Sequence, residues 1–264
     1  MKITVKSIMA MKQKGEKITA LTAYEALFAG FIDSAGIDVV LVGDSAGMVF
    51  AGHDTTIPVT MDDMVYHAGS VRRSVKNALL VVDMPFMSYQ VSVEEALRNA
   101  GRLVKEGGAE AVKLEGGRSV VPQLRACVEA GIPVMGHLGM TPQSVHRFGG
   151  FLTQGKSPEA ARMLLEDALA VQEAGAFSLV LEKIPAALAA EITQKLEIPT
   201  IGIGAGVHTD GQILVTQDML GMYEKFKPKF VRLYARLAED IRTALNRYAE
   251  EVRAGAFPAD EESY

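Results

Sequence analysis

Eight short apolar runs, most of them separated by helical patterns, restrict this chain of 264 residues to a few α/β architectures. The runs are Ile18–Tyr24, Val39–Ser45, Leu79–Phe86, Ala111–Gly116, Pro133–Leu138, Ser178–Ile184, Pro199–Ala205 and a weaker Ile213–Thr216. Most are continuously apolar rather than alternating, the pattern of strands covered on both faces. Helical patterns lie between them. Val93–Gly107 carries Ala96, Ala100, Leu103 and Val104 at helical spacing, and Glu159–Ala174 and Ala186–Leu196 are similar. Gly107, Gly131 and Gly175 stand where helices stop before the next strand. Eight strands with intervening helices in one chain of this length favour a single (β/α)8 TIM barrel over an open doubly wound sheet. The expectation is one barrel domain over residues 1–264, with a C-terminal helical extension, Phe226–Val252, that packs on the barrel or on another subunit.

Composition narrows the partners. Apolar residues make up 48% of the chain, enough for a large core, and the net charge of −5 argues against a polyanion. No Lys/Arg cluster suggests a nucleic-acid or lipid surface. The one cysteine, Cys127, lies in an apolar helical stretch and reads as a buried small hydrophobe. The first residues lack the apolar core of a secretory signal, and no run reaches the ~20 residues a membrane span needs. These features predict a cytoplasmic protein with no membrane and no nucleic-acid partner.

Ionisable residues stand where the strands end. Val39–Val42 leads through Gly43 to Asp44 and Ser45, Leu79–Val82 to Asp83, and Ala111–Leu114 to Glu115. Pro133–Gly136 leads to His137 and Leu179–Leu181 to Glu182. In a barrel the carboxyl ends of the strands form one mouth, so five strands aim an ionisable group at it. Singly, each has a structural explanation: an Asp caps the next helix, a His is hydrogen-bonded in the core, and Glu182 pairs with Lys183. Together, converging carboxylates raise one another's pKa unless a cation neutralises them. Without Cys and with few His, such a site selects a hard ion, Mg2+ before Zn2+. Lys113 and Glu115 point to the same side of their strand, either as a salt bridge inside the barrel or to offer a cation to a substrate carboxylate. A Schiff-base role for Lys113 is disfavoured, because the adjacent carboxylate keeps its ammonium charged.

Gly202-Ile203-Gly204-Ala205-Gly206 lacks the spacing and context of a dinucleotide loop, and close backbone packing, or the approach of a ligand, at the end of the seventh strand explains it better. His67 falls in a helical stretch, His146 and His208 fall in loops, and none is assigned a role. His53 follows the second strand, where it can line the mouth.

Taken in order, these segments resemble the ketopantoate hydroxymethyltransferase family. The resemblance rests on Val42-Gly43-Asp44-Ser45, Gly52-His53-Asp54, Pro58-Val59-Thr60, Asp83-Met84-Pro85-Phe86 and Lys113-Leu114-Glu115-Gly116-Gly117. It continues through Gly136-His137-Leu138-Gly139-Met140-Thr141-Pro142-Gln143, Leu181-Glu182, the Gly202–Gly206 segment and Thr209-Asp210-Gly211-Gln212. It covers about the first 220 residues, and Lys183 departs from the small or thiol side chain expected after the Glu. The resemblance implies transfer of a hydroxymethyl group from 5,10-methylenetetrahydrofolate to 3-methyl-2-oxobutanoate, through an enolate stabilised by Mg2+. The product is 2-dehydropantoate, for pantothenate and coenzyme A synthesis. It implies metal binding by Asp44, Asp83 and Glu115, substrate binding by Asp44, Ser45, Asp83 and Lys113, and proton acceptance by Glu182. It also implies a homo-oligomer, with a decamer expected. Two alternatives stay open: another metal–enolate enzyme of the isocitrate-lyase/phosphoenolpyruvate-mutase type, and a non-catalytic barrel that binds oxo acids.

Overall fold

Runs such as Val39–Val42 and Leu79–Val82 have no polar side to turn to water, so they form strands only where both faces are covered. The computed structural model, which describes residues 2–226 and 228–264, meets that demand with a closed barrel of eight parallel strands in chain order. They are β1 (Ile18–Thr22), β2 (Val39–Val42), β3 (Leu79–Asp83), β4 (Ala111–Glu115), β5 (Val134–Gly139), β6 (Ser178–Glu182), β7 (Thr200–Ile203) and β8 (Gly211–Leu214). Helices Ala26–Ser34, Met61–Arg72, Val93–Lys105, Val121–Glu129, Pro158–Glu173 and Ala186–Lys195 connect them as far as β7. Between β7 and β8 the described residues form only a loop. The expected (β/α)8 barrel is therefore the observed one.

The strands divide their side chains by parity. Val40, Val42, Leu80, Val82, Val112, Leu114, Leu179 and Leu181 pack outward in the larger core. Val39, Leu41, Leu79, Val81, Ala111, Met135 and Val180 fill a separate inner core, joined by Ile8 of the N-terminal helix Val5–Lys14. The period of two then assigns Asp83, Lys113, Glu115, His137 and Glu182 to the inward register, above those apolar residues. One end of the barrel interior is therefore dry and the other ionisable.

Most strands end one to three residues before the expected bound, and two elements start more than one residue from expectation. β8 begins at Gly211 rather than Ile213, because Gly211 pairs with both Ile18 and Ile201, and a Cβ there would lie 2.5 Å from the Ile18 carbonyl oxygen. Hydropathy does not register so close a backbone approach. The C-terminal helix begins at Leu237, not Phe226. Pro228, which has no N–H to give a helix, instead accepts the Val231 N–H in a turn. Lys227 of that stretch lies outside the described residues. The chain divides into two compact units, Met1–Val215 and Thr216–Tyr264; the first holds the whole barrel and the second the C-terminal helix. Cys127 is buried in its helix, and burial pushes its thiol up to about 11. Asp260–Glu262 form an exposed turn. Among the described residues no helix is long and apolar enough to cross a membrane.

The tightest strand contact predicts a defect. Gly139, at φ 95°, faces Glu182 across β5 and β6, and a Cβ there would lie 2.1 Å from the Glu182 carbonyl oxygen. Gly139→Ala should lose at least about 2 kcal/mol of stability in urea unfolding, through a strained backbone and a displaced strand. A variant as stable as the native chain would refute this reading of the β5–β6 contact.

Candidate active site

The register of the barrel turns a row of strand ends into one polar chain. Asp83 pairs in register with Lys113, Glu115 with His137, and Gly139 with Glu182. At its start, the Asp44 backbone N–H donates to Asp83 Oδ2 at 3.1 Å. Lys113 Nζ stands 2.9 Å from Asp83 Oδ1 and 4.0 Å from Glu115 Oε1. His137 Nδ1 is 3.1 Å from Lys113 Nζ, and its Nε2 is 3.2 Å from Glu182 Oε2. Ser45 Oγ hydrogen-bonds the hydroxyl of Tyr24 at 2.9 Å. The candidates Asp44, Asp83, Lys113, Glu115 and Glu182 are thus gathered at one mouth. The first four are buried, while the Glu182 side chain keeps 16% of its surface exposed.

Burial sets the electrostatics. It pushes Asp44 well above the usual carboxylate range, with Asp83 and Glu115 adding to the rise and Lys113 and Gln143 opposing it. Asp83 is raised by burial and partly relieved by Lys113. Glu115 is pushed up to about 7 by burial, against the pull of Lys113 and the Gln143 N–H. Burial alone would lower Lys113, but Asp83, Glu115 and Asp44 outweigh it and hold its ammonium above its ordinary value. His137 is lowered by burial and by Lys113, so it is neutral at physiological pH. Lysine can only donate, so Nδ1 accepts from Lys113 rather than donating to Glu115 Oε1 at 3.3 Å. The single imidazole proton is then on Nε2, facing Glu182.

The donor set indicates which ion the site suits. Asp44, Asp83 and Glu115 offer only oxygen, and Asp83 Oδ1 has Lys113 as a charge neighbour but no directed hydrogen bond. Among the described residues no three His, Cys, Asp or Glu side chains already stand in ligating geometry. Mg2+ usually takes one or two carboxylates and fills its octahedron with water and substrate oxygens, so the residues fit a hard ion without forming a closed cage.

Several contributors escaped sequence reasoning. Gln143 donates from Nε2 to Asp44 Oδ2 at 2.9 Å and from its backbone N–H to Glu115 Oε2 at 3.0 Å. Tyr89 OH accepts the Glu115 N–H at 3.2 Å. Thr141-Pro142-Gln143 was visible as a motif, but nothing in its spacing pointed back to Asp44. Lys183 does not pair with Glu182. It takes a left-handed φ of 49°, and its ammonium donates to the Phe151 carbonyl. His67 is buried in its helix, with Nδ1 2.6 Å from the Tyr24 carbonyl oxygen. His146 lies in the short helix Val145–Phe148 rather than a loop, His53 is exposed, and His208 is in a loop.

A family model described as ketopantoate hydroxymethyltransferase matches residues 2–260. A 3-methyl-2-oxobutanoate hydroxymethyltransferase of Pelobacter propionicus is 59% identical over 100% of this chain and 97% of its own length. One of Geobacter sulfurreducens is 58% identical over 99% of this chain and 98% of its own length. Among solved structures, a 2,3-dimethylmalate lyase of the PEP mutase/isocitrate lyase superfamily superposes with a TM-score of 0.63 at 17% identity, over 100% of this chain and 92% of its own. A phosphonopyruvate hydrolase in complex with oxalate and Mg++ gives 0.63 at 13%, over 98% of this chain and 93% of its own. At those identities the solved structures speak to the fold alone.

The buried carboxylates carry a pH signature. Glu115 holds its proton up to about 7 in the folded chain but loses it near 4.5 when unfolded, so the folded state binds more protons in between. The Glu115 contribution to the stability of the metal-free protein should therefore fall as pH rises through that window and be lost above about 7. Glu115→Gln should flatten the fall, read as urea midpoints across pH. An equal slope in the variant would place the effect elsewhere.

Proposed function

The chain belongs to the ketopantoate hydroxymethyltransferase family, and from that premise we propose that it moves a hydroxymethyl group from 5,10-methylenetetrahydrofolate to 3-methyl-2-oxobutanoate. The observation that carries this reading is the row of close polar contacts, hydrogen bonds and charge neighbours together, from Asp44 through Asp83, Lys113 and His137 to Glu182. It sets buried carboxylates, a buried cation and a partly exposed carboxylate side by side.

Asp44, Asp83 and Glu115 would hold Mg2+. When bound there, the ion would supply Lewis acidity toward the 2-oxo group, whose C3 proton is otherwise too weakly acidic for a carboxylate to remove. The chain's own residues do the rest. Lys113 is held charged by its carboxylate neighbours and balances the carboxylate of the oxo acid. Ser45, steadied by the Tyr24 hydroxyl, donates a hydrogen bond to the same group. Glu182 takes the C3 proton; its side chain is partly exposed and lies outside the Asp44–Asp83–Glu115 set. The Nε2–H of His137 lies beside Glu182 Oε2 and favours one carboxylate orientation. C3 then forms its new bond to the one-carbon unit, both bonds of that unit to the folate nitrogens break, and water supplies the hydroxyl oxygen, while the two nitrogens take up the C3 proton and the second proton of the water.

Glu182→Gln keeps the side-chain shape but cannot accept a proton. It should still bind Mg2+ and the oxo acid, yet lose C3 hydrogen exchange in D2O without folate by about 10²–10⁴-fold. Near-normal exchange with failed condensation would move Glu182 to the folate step, and absent exchange in the native chain would favour a non-catalytic barrel. Lys113→Met should chiefly raise KM for the oxo acid, with a smaller loss of kcat. An unchanged KM would leave Lys113 as an internal salt bridge only.

A further inference from the structure

Gln143 is 5% exposed and stands in the single turn Pro142–Ser144 that follows β5, with both polar atoms of its side chain hydrogen-bonded. Both protons of its amide are used, Nε2 donating to Asp44 Oδ2 and to the Met84 carbonyl, each at 2.9 Å. Its Oε1 accepts from Tyr89 OH at 2.8 Å and from Gln90 Nε2 at 3.2 Å. The amide is oriented by its two acceptors, because reversal would press its oxygen against Asp44 Oδ2 and the Met84 carbonyl. Its backbone N–H, meanwhile, donates to Glu115 Oε2 at 3.0 Å. One residue therefore grips one oxygen of each of two carboxylates that reach the mouth from different strands. Tyr89 anchors the far side of that grip, since its hydroxyl also accepts the Glu115 N–H at 3.2 Å and lies 3.0 Å from the Glu115 carbonyl oxygen.

We propose that Gln143, braced by Tyr89, is a positioning residue that holds Asp44 and Glu115 at the separation and orientation a divalent cation requires. The proposal rests on reading those two carboxylates as metal ligands. Its physical basis is the mutual repulsion of buried carboxylates. Unrestrained, Asp44 and Glu115 would turn away from each other or toward Lys113. A neutral amide with no rotational freedom holds them facing the same space without adding a competing charge. Residues that orient the ligands of a metal in this way typically govern 10–100-fold of its affinity.

Direct titration of metal-free protein with Mg2+, and with Mn2+ followed by electron paramagnetic resonance, tests this. Gln143→Met preserves the length of the side chain and the backbone N–H but loses the grip on Asp44. It should bind either ion about 10–100-fold more weakly, and saturating Mg2+ should largely restore kcat with little change in KM for the oxo acid. Tyr89→Phe should weaken binding in the same direction and by less. The double variant should be weaker than Gln143→Met alone by less than the full Tyr89→Phe effect, because the two substitutions share the Gln143 support while Tyr89 also holds the Glu115 N–H. Affinities within twofold of the native chain in Gln143→Met would overturn the proposal. If that variant does not fold, native affinity in Tyr89→Phe overturns it equally. A native chain that binds neither ion would instead defeat the metal reading on which the proposal rests.

Discussion

Lys113 carries the only positive charge among the named groups of the barrel mouth, and the arrangement around it depends on that charge. Asp44, Asp83 and Glu115 have been taken out of water, and each pays for burial with a raised affinity for protons. An ammonium 2.9 Å from Asp83 and 4.0 Å from Glu115 makes such a group tolerable in a folded chain. Breaking a buried ion pair by removing one partner typically costs about 3–5 kcal/mol, because the other charge is left without compensation. Lys113 is in place only because β4 has its present register. A slip of one residue would turn Lys113 and Glu115 toward the outer helices and bring Val112 and Leu114 inside. Strand parity and charge compensation are therefore one constraint.

The same parity separates stability from chemistry. Below the polar residues the barrel is filled by Val39, Leu41, Leu79, Val81, Ala111 and Met135, with Ile8 of the N-terminal helix in contact with them. Lys12 of that helix donates to Asp210 at 2.8 Å, and Asp210 in turn accepts the Thr200 N–H at 2.8 Å. Asp210 lies in a segment that contributes to the family resemblance, yet its contacts join the start of β7 to the N-terminal helix. A residue of such a segment can thus serve to assemble the barrel rather than the reaction.

Around the mouth, short polar contacts reduce freedom where chemistry needs fixed positions. The neutral imidazole of His137 lies between Lys113 and Glu182 and links the buried cation to the partly exposed carboxylate. Lys183 continues the chain from Glu182 in a left-handed conformation that a non-glycine residue adopts only at a cost of about 1 kcal/mol or more. Its backbone is held on both sides, its N–H donating to the Ile203 carbonyl and its own carbonyl accepting the Gln154 N–H. These bonds offset the strain and fix the direction in which β6 delivers Glu182.

Most of the fold, and the identity of the strand-end groups, was legible in the sequence because both are local properties. Continuous apolar runs report strands covered on two faces, and an alternation of two tells which side Lys113 and Glu115 share. Asp44, Asp83, Glu115, His137 and Glu182 could be picked out because each directly follows or ends such a run. Tertiary structure alone decided what depends on contacts between distant segments. Gln143 meets Asp44 across 99 residues of sequence, and Tyr89 meets Gln143 across 54, so no spacing rule could pair them. The early start of β8 at Gly211 and the late start of the last helix at Leu237 were hidden for a related reason. A close backbone approach and a missing N–H act through geometry, whereas hydropathy records only how much a side chain avoids water.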